Sequence, residues 1–149
     1  MFSLCRCALT VMTVFAPHIL QAQEDRWLEV SSGSERTIEI DRRSVQSSTD
    51  GITRVWIRET YREPETTADG RYFTVAVFQM DMNCREKRTL RLSMTYYDHG
   101  KVVGGYNGGG EWKPVVPDSY GEIQFEAACA MHPPGPTLKI LPSPRDHVQ

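Results

Sequence analysis

Apolar and polar residues alternate along most of the middle of this chain, and alternation with a period of two predicts strands. Residues 52–63 set Val55, Ile57 and Tyr61 on one side and Arg54, Trp56, Arg58, Thr60 and Arg62 on the other. Pro64 and the polar stretch to Gly70 predict its end. Residues 72–84 are nearly all β-formers. Phe78, Met80, Met82 and Cys84 share one face, Gln79, Asp81 and Asn83 the other, and the first half reads as buried on both sides. Residues 89–97 put Leu90, Leu92, Met94 and Tyr96 opposite Arg91, Ser93 and Thr95. The turn Asp98-His99-Gly100 then leads into a return strand at Lys101. Two shorter strands are expected earlier, around residues 27–30 and 37–41.

Five glycines between Gly104 and Gly110 predict that the return strand breaks there, and Pro114 and Pro117 predict an irregular crossing loop. Ser119 with Glu122 has capping-box spacing, so a helix is expected over residues 120–131, stopped by Pro133 and Pro134. The sum is an α+β fold, an antiparallel sheet of about five to six strands with one C-terminal helix.

The first 22 residues change the picture. Arg6 is their only charge, a largely apolar run of about 14 residues follows, and Leu20-Gln21-Ala22 offers a cleavage site. That run is short of the ~20 residues that span a bilayer, so 1–22 reads as a signal peptide, 23–132 as one domain and 133–149 as a Pro-rich flexible tail. Cys5 and Cys7 leave with the leader, which leaves Cys84 and Cys129 for one disulfide in an oxidising compartment. Position 23 is Gln23, so no lipid anchor is expected. Without its leader the chain carries a formal charge of −3, which gives no overall field favouring nucleic acid.

Candidate chemistry is sparse. Ser119 lacks the first glycine of a G-x-S-x-G frame and is explained by capping. His99, His132 and His147 are too scattered for a metal motif, and no C-x-x-C-H for covalent haem is present, so no metal or cofactor is expected. Residues 104–110 lack the Gly-Lys-Ser/Thr ending of a phosphate loop. The candidate binding face is a basic ridge of Arg54, Trp56, Arg58 and Arg62, joined by Arg91 where the strands are neighbours, suited to an acidic protein segment or a polyanionic glycan. Two bland readings stand beside it: a solvated strand face carrying ordinary charges, or a face covered by a second subunit or the N-terminal strand.

The order of landmarks resembles the bacterial surface-adhesin protein E-like family. Those landmarks are Trp27, Ile40-Asp41 with Ser44, Arg54-Val55-Trp56, Asn83-Cys84, Tyr97-Asp98 before Gly100, Trp112 with Pro114 and Pro117, Ser119 with Glu122, and Cys129. The resemblance implies a small exported domain with its two cysteines bonded and a capacity to form a homodimer. Its founding member is an outer-membrane lipoprotein that binds host matrix and plasma proteins and is linked to haem binding. The expected function is therefore a non-enzymatic, exported binding domain, periplasmic first, with a surface or secreted host-matrix adhesin as the alternative. A small metal-dependent or hydrolytic enzyme is the contrasting class.

Overall fold

The computed structural model describes residues 26–131. The expected leader, the Pro-rich tail and His132 and His147 lie outside the described residues. Eight antiparallel strands form one sheet: β1 Trp27–Ser32, β2 Arg36–Asp41, β3 Gln46–Ser47, β4 Ile52–Thr66, β5 Tyr72–Asn83, β6 Arg88–Asp98, β7 Lys101–Asn107 and β8 Lys113–Pro114. Helix α1, Tyr120–Ala130, follows them. The main path runs β1-β2-β4-β5-β6-β7, while β3 pairs with β4 and β8 with β6.

The count is eight, where the sequence pattern predicts five or six. The two extra strands are two-residue bridges, too short to show a periodic pattern. Each continues a row that another strand has left: β3 takes the edge of β4 below β2, and β8 takes the edge of β6 below β7.

One face of this sheet makes the core. Ile38, Ile40, Val55, Ile57, Phe78, Met82 and Ala76 are fully buried there, and Phe125 and Ala128 of α1 pack onto them. The Cys84–Cys129 disulfide, with Cα atoms 5.7 Å apart, fastens the late helix to the end of β5. Ser119 caps the helix by accepting from the Glu122 amide at 3.2 Å. The reciprocal bond of the expected box goes one residue further back, to the Asp118 amide at 2.8 Å.

Four sequence expectations are corrected. Pro64 does not end β4, because the ladder to β5 is interrupted between Thr60 and Glu65 and no partner there needs its amide. The glycines at 104 and 105 lie inside β7, since a Cβ on Gly105 would collide with the Met94 carbonyl. Val75 and Val77 are only half-buried, so the first half of β5 is covered on one side and not on both. In β6 the register slips between Gln79–Ser93 and Met80–Arg91, and this bulge breaks the alternation.

Candidate functional site

The sheet face opposite α1 is built by odd–even placement alone. In β4, Thr53, Val55, Ile57 and Glu59 turn into the core, so Arg54, Trp56 and Arg58 turn outward. Their cross-strand neighbours are Asp81, Gln79 and Val77 on β5, and Glu39 on β2 lies beside Arg58. Val75 and Val77 continue the face toward Tyr97 and Thr95 of β6. No further layer of the described residues covers it: α1 and the packed part of the crossing segment lie on the other side.

The arginines here are not free cations. Arg54 grips Asp81 with two bonds of 2.7 and 2.8 Å. Arg58 grips Glu39 with two of 2.6 Å. Arg26 holds a single oxygen of the buried Asp41 at 2.8 and 2.6 Å. These bonds push the Arg54 and Arg26 guanidinium pKa values further up. The Arg58 guanidinium also lies over the Trp27 ring, 4.4 Å from its centre, with Arg26 at 5.6 Å. Partly exposed pairs of this kind add little stability, about 0–1 kcal/mol each, but they cancel the field that a bare ridge would project.

Trp56 is the aromatic centre of the face. The 3₁₀ turn at Arg42–Ser44 braces it from below: Ser44 accepts from the Trp56 amide at 2.9 Å and donates to the Asp41 carbonyl at 2.8 Å. Asp41 in turn accepts from the Arg43 amide at 3.0 Å. Between them a shallow depression of about 330 Å3 opens, lined by Arg43, Ser44, Trp56 and Gln79 among others.

Of the five residues expected on this face, the structure brings Arg54, Trp56 and Arg58 together. Arg62 lies further along β4, exposed, past the end of the regular ladder. Arg91 does not join them. β5 separates its strand from β4, and the β6 bulge places it opposite Met80, on the helix side, with its guanidinium 4.8 Å from the centre of the buried Phe78 ring.

A second polar cluster sits under α1. Glu59, only 6% exposed, accepts from the Tyr61 hydroxyl at 2.5 Å, from Gln124 Nε2 at 2.6 Å and from Arg36 Nη1 at 3.2 Å. The Arg36 guanidinium is layered between the Tyr61 and Tyr120 rings, 4.7 and 4.5 Å from their centres, which leaves its Nε buried without a hydrogen-bond partner among the described residues. Burial, then the bond to Glu59, drives the Tyr61 pKa well above the usual phenol range. Glu59 shares the parity of Val55 and Ile57 along β4, which turns it into the core.

Chemistry is otherwise accounted for. The Ser119 hydroxyl donates to the Val116 carbonyl at 2.6 Å while it caps the helix. His99 is 90% exposed beside Asp98 in the turn, where positive φ at His99 and Gly100 fits a primed hairpin turn. Among the described residues no three His, Cys, Asp or Glu side chains converge as metal ligands.

Among the described residues a single antiparallel sheet, cored on one side by one disulfide-fastened helix and open on the other, defines a small sheet-and-helix domain. The surface-adhesin protein E family model matches residues 27–130, and the chain belongs to that family. Membership implies a non-enzymatic, adhesin-like role in an exported or surface protein. No curated protein matches the chain. No helix of the described residues is long and apolar enough to cross a membrane.

Proposed function

We propose that this chain is an exported, non-catalytic interaction domain of the bacterial cell envelope, acting in the periplasm, that docks a protein partner on the open face of its sheet. The observation that carries this reading is the uncovered surface around Trp56, with half-buried Val75 and Val77 beside it and Arg54 and Arg58 already neutralised. An aromatic centre rimmed by self-satisfied ion pairs suits a mixed protein surface better than a polyanion. A second reading, display or secretion as a host-matrix adhesin, is favoured by the family.

Replacing Trp56 at a packed interface centre is expected to weaken binding by about 2 kcal/mol or more. Wild-type and Trp56→Glu proteins, both with the disulfide intact, are compared on immobilised matrix proteins, on envelope extracts and by sedimentation. Loss of any complex formed by the wild type, a homodimer included, supports the docking face. Equal behaviour of the two proteins overturns it. Protease shaving of intact cells separates surface display from the periplasm. Recovery only from cytoplasm, with both thiols alkylatable, removes the exported reading altogether.

A further inference from the structure

The cations of this domain differ in how they are paired. On the open side Arg26, Arg54 and Arg58 each hold a carboxylate within 2.7 Å. At the other side and the β5–β6 end, Lys87, Arg88, Arg91 and Lys113 have no carboxylate within ion-pair distance among the described residues. These four cations give that end of the sheet a local positive charge that no described carboxylate cancels by direct pairing.

Two of these cations share a cleft of about 370 Å3 with Met80, Thr89, Tyr106 and Glu111. Their convergence follows from register. Arg91 faces Met80, Thr89 faces Met82, and Lys113 of β8 lies directly across from Thr89. Thr89 and Arg91 are two residues apart on one side of β6, about 7 Å, and cross-strand neighbours stand about 5 Å apart, so both long side chains reach one bound group. Arg91 is held in place by its contact with the Phe78 ring. Tyr106, 44% exposed, supplies a wall, and Met80 a floor. Arg88 donates to the Trp112 carbonyl at 2.9 Å and continues the positive edge beyond the cleft.

We propose that this cleft binds an acidic glycan, its sulfate or carboxylate group taken by Arg91 and Lys113 and its sugar ring laid against Tyr106 and Met80. The site is on the opposite side of the sheet from Trp56 and does not rest on the docking face proposed above. A nucleic acid is disfavoured because the cleft has one exposed ring, where base stacking uses a series. An acidic peptide adding as a strand is disfavoured because β8 already occupies the β6 edge at Arg88 and Thr89. Glu111 is the one acid lining the cleft, and it opposes the anion.

The test titrates the purified full chain, disulfide intact, with heparin as the probe, and with polyglutamate and a single-stranded oligonucleotide as comparators, at low and physiological salt. Arg91→Ala and Lys113→Ala are each expected to weaken heparin binding about tenfold, as loss of a charge-assisted bond does. Glu111→Gln should tighten it, a gain that a merely structural role would not produce. Tyr106→Ala should weaken heparin several-fold and leave polyglutamate unchanged. Lys101→Ala, an exposed cation across from the far end of β6, should stay within about twofold. No heparin binding, polyglutamate or oligonucleotide bound as well as heparin, or a Lys101→Ala loss equal to that of Lys113→Ala each overturns the proposal.

Discussion

Glu59 shows how one buried carboxylate is made tolerable. Three donors from three elements meet it: Tyr61 of β4, Arg36 of β2 and Gln124 of α1. An unpaired carboxylate in that position would cost several kcal/mol, and a fully bonded one instead ties the helix to two strands. Because burial and Glu59 raise the Tyr61 pKa, the folded protein keeps this proton after the unfolded chain has begun to lose it. The contribution is whole below about pH 10 and falls as pH rises above it. Tyr61→Phe is expected to lower stability at neutral pH by about 1–3 kcal/mol. It should also flatten the decline of stability between pH 10 and the alkaline limit, measured by urea unfolding at stepped pH. An unchanged alkaline slope would mean that the Tyr61 proton does not couple to folding.

The helix is an element held by two devices at opposite ends. Ser119 and Glu122 satisfy amides at its start, and Cys84–Cys129 anchors its last turn. A bond closing 45 residues should stabilise by roughly 4 kcal/mol through the entropy of the unfolded chain. The Cys84→Ser, Cys129→Ser double variant should lose that amount in denaturant titration, and wild type under reductant should match it. These two devices were legible from spacing, because capping chemistry and cysteine elimination are local or combinatorial facts. The alternation of β4 was equally legible, and it placed Arg54, Trp56 and Arg58 together correctly. What failed were positions where the ladder departs from strict pairing. Pro64, Gly105 and the β6 bulge depend on what the neighbouring strand does, and a single strand read alone carries no record of its neighbour. The charge state of the ridge failed for the same reason: Glu39 and Asp81 are 19 and 27 residues away from their arginines.

As a whole the molecule is a sheet with one dressed side and one bare side. Among the described residues the buried core runs from Ile38 to Ala128, joining the strands to the helix in one cluster. We propose that residues 23–132 are the folding unit. A fragment with those limits should unfold within about 0.5 kcal/mol of the chain that also carries the tail, the range ordinary surface changes produce. A larger loss would show that residues 133–149 pack onto the domain. The two sides also suit two kinds of contact at once. A protein held by the Trp56 face and an acidic glycan held at the β6–β8 cleft would not compete for space, since the thickness of the sheet stands between them.

The extra residue in β6 acts as a parity switch. Read back from the β6–β7 turn, the pairing down to Ser93 would send Arg91 to the Trp56 side, beside cations that are already spoken for. One added position, Leu92, reverses odd and even for the residues that precede it, and delivers that same guanidinium to the far side, against Phe78 and next to Lys113. A single insertion in a lineage of such domains can therefore reassign a charge from one surface to the other without altering any charged residue.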